Sequence, residues 1–167
     1  MILEVKTVPA AILRAQARDV SEITPKIIQL LNDLYETMIA HDGVGIAAHQ
    51  VGENLNVAIV QLNPEDEVIE LINPKIVLSV GSDIFVEGCL STPHVFGTVE
   101  RSERIVLTYL DREGYSCELD VEGYLARAIQ HEVDHLNGIL FIDKMIDEIK
   151  EEDLEAYYQN YEEESDD

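Results

Sequence analysis

A chain of 167 residues, 46% apolar and 27% charged, has the size and composition of one folded domain rather than a disordered segment. Its formal charge of −23, from 34 acids against 11 Lys and Arg, argues against a surface built to hold nucleic acid or an anionic membrane. Two cysteines, Cys89 and Cys117, are too few for a disulfide scaffold. No run is apolar and long enough to span a membrane, and residues 1–6 lack the core of a signal peptide, so the expected location is the cytoplasm.

In chain order, Thr24-Pro25 is a helix start, with a hydroxyl to cap and a proline at the first helical position. Ile27, Leu30, Leu31, Leu34 and Met38 recur at helical spacing, which predicts an amphipathic helix over 25–41, stopped at His41-Asp42-Gly43. Strands are predicted over 56–62, 68–73 and 75–80, the last two separated by Pro74. A hairpin joins 105–110 to 115–119 through Asp111-Arg112-Glu113-Gly114, and a second helix covers 122–136, ended by Asn137-Gly138. Residues 139–142 run apolar again. Helix, strands and helix in that order suggest an α+β domain with antiparallel or mixed sheets, and no βαβ unit supports a dinucleotide fold.

The acid is concentrated at the end. Eleven of the acids lie in residues 147–167, where Lys150 is the one base. This composition divides the chain into a body, 1–146, and an acidic C-terminal segment, 147–167. Within that segment Leu154, Tyr157, Tyr158 and Tyr161 mark a helix over 151–161, and residues 162–167 are expected to be solvated and frayed.

The strongest chemical signal is His131-Glu132-Val133-Asp134-His135 in the second helix. Side chains four apart stand on one face, so two imidazoles can reach one cation, and Glu132 beside them can take a proton from water. Two imidazoles leave the site one ligand short. Downstream, Asp143, Asp147 and Glu148 are the candidates. Upstream, Cys89 in Glu87-Gly88-Cys89-Leu90-Ser91 is the better one, because its glycine permits a turn; Cys117, in a hairpin strand, reads as a small buried side chain. A third segment, Gly43-Val44-Gly45-Ile46-Ala47-Ala48-His49-Gln50, offers close backbone approach and exposed amides, without the Gly-Lys-Ser/Thr ending of a phosphate loop.

Together these three segments, in this order, resemble the signature motifs of the peptide deformylases over roughly residues 1–146. The resemblance implies an α+β fold in which antiparallel or mixed sheets pack around a central metal-binding helix. It implies that Cys89, His131 and His135 hold the metal, usually Fe2+ in cells and often Ni2+, Co2+ or Zn2+ in purified protein, with water as the fourth ligand. Glu132 would be the general base, and Gln50 with the Leu90 amide would stabilise the reacting oxygen. Glu87 would pair with Arg101 behind the cysteine loop. Gly45 and its neighbours would bind substrate backbone, Val44, Tyr124 and Ala128 would line the pocket for the first side chain, and Gly88 would leave the opening uncluttered.

The activity implied is hydrolysis of the N-formyl group from the N-terminal methionine of newly synthesised polypeptides, releasing formate. The alternatives are a related metallohydrolase acting on another short N-acyl peptide and a non-catalytic peptide-binding relative. The second of these should have lost Glu132 or a ligand, and the sequence retains them all. Some family members end in a basic helix that docks on ribosomal RNA. Here the tail is acidic, so ribosome proximity is expected to be transient, with no specific nucleic-acid binding and no membrane partner. His49, Thr92 and Phe96 depart from the usual family residues; His49 is expected to be a satisfied loop histidine. A salt-rich cytoplasm is one explanation of the acidity, an ordinary acidic surface the other.

Overall fold

The computed structural model describes residues 1–165. Helix α1 (Pro25–Ala40) follows Thr24, whose backbone is extended as a capping residue requires but whose hydroxyl makes no capping hydrogen bond, contrary to the expectation. Its apolar stripe, Leu30, Leu31, Leu34 and Met38, packs on one face of a five-stranded antiparallel sheet of order β1-β2-β3-β6-β7. The strands are β1 (Gly45–Ala47), β2 (Val57–Val60), β3 (Ile69–Val80), β6 (Arg104–Leu110) and β7 (Ser116–Glu122). The other face receives helix α2 (Gly123–Leu136) through Ala126, Ala128 and Ile129. Strand β2 therefore lies between two helices. Val57 and Ile59 meet the α1 side and Val60 the α2 side, which is why it is apolar at every position.

The segment 68–80 is one strand, not two. Asn73 takes a left-handed conformation (φ 53°), tolerated by its short amide side chain, and the register with β6 shifts between Ile72 and Lys75. The Asn73 amide donates to the Val20 carbonyl (2.9 Å) and its oxygen accepts from the Val20 N–H (2.8 Å), so Pro74 sits in a pinned bulge. The predicted 105–119 hairpin forms β6 and β7, closed by the Gly114 N–H on the Asp111 carbonyl.

A second sheet, of order β4-β5-β8, was not foreseen. It contains β4 (Asp83–Cys89), β5 (Thr92–Arg101) and β8 (Met145–Glu148). Cys89 thus ends a strand and the tight turn lies at Leu90-Ser91. The boundary at 146 falls inside β8, which pairs with β5 at Gly97–Glu148 and Val99–Met145. The apolar residues 139–142 lead into a one-turn helix, α3 (Phe141–Lys144), with Leu140 and Phe141 buried. Helix α4 (Leu154–Ser165) then runs further than expected: residues 162–165 continue it rather than fray, and Asp166 and Asp167 lie outside the described residues.

Candidate metal centre and active site

Helix α2 is buried on nearly all sides, and two of its polar side chains explain how it is held. Gln130 receives the Ser102 N–H (3.0 Å) and donates to the Ser102 carbonyl (2.8 Å), latching the helix to the β5–β6 turn. Arg127 donates to Glu87 (2.7 Å) and to the Val99 and Asp83 carbonyls (2.9 and 2.7 Å), tying it to β4 and β5. This clamp brings one turn of α2 against the end of β4. Among the described residues, Cys89, His131 and His135 form a group whose ligand atoms lie within 4.8 Å of one another, and Cys89 Sγ is 3.3 Å from His135 Nε2. Asp143, the alternative third ligand, is turned away and paired with Arg14.

One sulfur and two imidazole nitrogens at this spacing suit a tetrahedral divalent site with one open position. The surroundings fit as well. His131 Nδ1–H donates to Glu87 Oε1 (2.8 Å), which fixes the tautomer and leaves Nε2 to face the group. Burial beside His131 pushes His135 well below its ordinary value, into the neutral form a ligand needs. Behind them Glu87 takes a bidentate pair from Arg101 (2.7 and 2.9 Å), and Arg101 reaches on to Asp134 (2.6 Å). Burial alone would raise the Glu87 carboxyl, but the hydrogen bonds from Arg101 and His131 hold it far below the usual carboxylate range. Both of its oxygens are committed to this network, the pairing with Arg101 that the resemblance implies, so Glu87 supports the site from behind.

Glu132 lies beside the group with Oε1 buried and without a partner, and burial pushes its carboxyl up to about 7. Gly45 makes room for it: a Cβ there would lie 2.6 Å from Glu132 Oε2. The carbonyl of Val44 accepts from the Gln61 N–H (2.8 Å), so antiparallel alternation turns the Gly45 N–H and C=O outward, away from β2. Gln50 is locked from both ends of its amide. Its oxygen accepts from the Ala47 N–H (2.9 Å), and its nitrogen donates to Ser91 Oγ (3.1 Å) and points toward Cys89 Sγ (3.5 Å). His49 is buried, with Nδ1 2.6 Å from the His135 carbonyl and Nε2 2.8 Å from Asn54 Oδ1, so each ring nitrogen has a polar partner, as expected of a loop histidine.

These groups open into a cleft of about 860 Å3, lined on one side by Val44 and Gly45 and on the other by Gly88, Cys89 and Leu90. Both β1 and β4 are edge strands, so each borders the cleft with backbone not paired to a neighbour on that side. Tyr124 and Ala128 complete the wall from α2. Gly88 has a tighter purpose than an open mouth, because a Cβ there would lie 2.7 Å from the Phe96 ring. Sequence reasoning missed Arg127, which as a lone charge on a helix reads as surface, and Tyr158 and Glu151, which reach the same cleft from the acidic segment.

Comparison with known proteins agrees with this geometry. A sequence profile described as polypeptide deformylase matches residues 2–151. A peptide deformylase of Caldanaerobacter subterraneus subsp. tengcongensis is 47% identical over 87% of this chain and 90% of its own. The crystal structure of a Legionella pneumophila peptide deformylase superposes with a TM-score of 0.85 at 39% identity, covering 87% of each chain. A Met-Ala-Ser-bound peptide deformylase of Acinetobacter baumannii superposes at 0.83 with 37% identity, covering 87% of this chain and 99% of that one. With the profile spanning nearly the whole fold, and with the cysteine, the two histidines and the glutamate gathered at one cleft, the chain belongs to the polypeptide deformylase family.

Proposed function

We infer that this chain hydrolyses the N-formyl group of N-formylmethionyl peptides and nascent chains, releasing formate, with a divalent cation held by Cys89, His131 and His135. The observation that carries this reading is the partnerless, buried Glu132 oxygen beside a thiol and two imidazoles in a cleft edged by unpaired strands. The cation supplies Lewis acidity, activating water at neutral pH. Iron(II) suits a site with one thiolate in cells, with Ni2+, Co2+ or Zn2+ able to replace it.

The residues divide the work by position. An extended peptide pairs its backbone with the outward N–H and C=O of Gly45, as a strand added to an edge. Val44, Tyr124 and Ala128 receive the methionine side chain. Glu132 takes the proton from the attacking water as its oxygen bonds to the formyl carbon. The Gln50 amide nitrogen and the Leu90 N–H then stabilise the negative oxygen that develops. As the C–N bond breaks, Glu132 passes the proton to the leaving amine and formate departs. The body, residues 1–146, carries the three ligands, the base and the Gly45 edge, while the acidic 147–167 segment completes β8 and packs onto that body. That segment repels RNA phosphate, so contact with the ribosome is transient. No helix among the described residues is long and apolar enough to cross a membrane. The proposed substrate, a nascent chain, puts the work in the cytoplasm, where such chains are made.

The test is anaerobic purification, metal quantification, and cleavage of formyl-Met-Ala-Ser before and after chelation. One divalent cation per chain, with activity lost on chelation and restored by Fe2+, supports the reading. Full activity in demonstrably metal-free protein overturns it.

A further inference from the structure

We propose that Tyr158, on the acidic C-terminal helix, forms the outer wall of the pocket for the substrate's first side chain and sets its selectivity for methionine. This rests on the deformylase reading and adds a residue from outside the 2–151 segment that the family profile matches. Strand register delivers the helix to the site. β8 pairs with β5, the Ile149 N–H donates to the Phe96 carbonyl (2.9 Å), and Glu151 meets His94 Nδ1 (3.0 Å) at the cleft. From there α4 folds back across Phe85 of β4. The rings of Tyr157, Tyr158 and Tyr161 lie 5.8, 5.8 and 4.7 Å from that of Phe85, and the Tyr161 hydroxyl donates to Asp83 (3.3 Å).

Phe85 is the shared support. It also meets Tyr124 of α2, edge-on at 6.2 Å, so one phenylalanine contacts a tyrosine from each helix, and both tyrosines line the cleft. Tyr158 and Tyr124 are each about half exposed (44% and 50%), and both line the cleft that holds Cys89 and Glu132. A half-exposed ring on a fixed backbone is an apolar surface awaiting a partner, and a thioether is well suited to it because sulfur makes favourable contacts with aromatic rings. The acidity of α4 keeps the segment soluble, while its tyrosine face does the packing.

The experiment compares kcat and KM for formyl-Met-Ala and formyl-Ala-Ala at equal metal content in wild type, Tyr158→Ala, Tyr158→Phe and the surface control Glu155→Ala. Loss of a contact made equally in ground and transition states raises KM and spares kcat, so Tyr158→Ala should raise KM for formyl-Met-Ala about fivefold. Formyl-Ala-Ala, too short to reach the ring, should be unaffected; Tyr158→Phe, which keeps the ring, should restore the Met-over-Ala selectivity lost in Tyr158→Ala, and Glu155→Ala should behave as wild type. Unchanged Met-over-Ala selectivity in Tyr158→Ala, or an equal loss on both substrates, overturns the proposal while leaving the activity standing. A wild-type enzyme that fails to cleave formyl-Met-Ala overturns the reading beneath it.

Discussion

Gly45 and Glu132 share a space that only one of them can fill. A Cβ on Gly45 would stand 2.6 Å from Glu132 Oε2 and 3.0 Å from its carboxyl carbon, so the glycine of an edge strand is what lets the carboxylate of α2 face the cleft. Gly45→Ala should therefore push the Glu132 carboxylate aside while leaving the metal ligands in place. A misplacement of about 1 Å can cost on the order of 100-fold in rate, and a fall in kcat of that size with unchanged metal content is expected. Wild-type kcat in that variant would show that Glu132 has room to spare.

Glu132→Gln keeps the shape and removes the capacity to take a proton. Metal content should stay at the wild-type level, and turnover of formyl-Met-Ala should fall by about 100-fold or more. Full activity in the glutamine variant would remove Glu132 as the base.

Glu87 answers two buried arginines and one histidine, so its charge is structural. Glu87→Gln leaves Arg101 and Arg127 without their shared counter-charge, and breaking a buried pair in this way costs about 3 kcal/mol or more. Urea unfolding of metal-free protein at pH 7 should show that loss. A change below about 1 kcal/mol would mean that Asp134 alone can balance Arg101.

The Arg14–Asp143 pair gives a pH dependence remote from the cleft. Hydrogen bonds from Arg14 hold the Asp143 carboxyl below the ordinary 3.8. Because the folded value is the lower one, the stabilisation is complete above pH 3.8 and is lost as pH falls through the folded value. Both side chains are partly exposed, so the contribution is about 0.5 kcal/mol or less. In Arg14→Gln, the Asp143 carboxyl followed by NMR should titrate nearer 3.8, and the stability difference from wild type should close below that pH. An unmoved Asp143 titration would contradict the pairing.

The parts of this molecule that were legible in its sequence are those where one local pattern dominates. The apolar spacing of α1, the Asp111–Gly114 turn and the i, i+4 histidines of α2 each carry their own signal, and the structure contains them at nearly the expected bounds. The β4–β5 hairpin was hidden because Gly88, Pro93 and Gly97 read as loop. Gly88 and Gly97 are small to admit the Phe96 ring and the Met145 side chain, contacts that exist only after folding. Strand β3 read as two because Pro74 breaks a ladder in isolation, whereas Asn73 bridges the break through Val20. Cys89 was reached through its motif, since no local periodicity marks a ligand 42 residues from the first histidine. Tyr158 was legible as part of a helical stripe but not as a cleft residue, because nothing in the acidic segment marks where its helix docks.

The cleft should hydrolyse a formyl group and little else. A formyl carbon bears hydrogen and can lie beside Gln50 and Leu90, whereas an acetyl group adds a methyl at the crowded carbon. The measurement is kcat/KM for formyl-Met-Ala against acetyl-Met-Ala, taken anaerobically at fixed metal content. A ratio of about 100 or more in favour of the formyl peptide is expected. Equal values for the two peptides would contradict it.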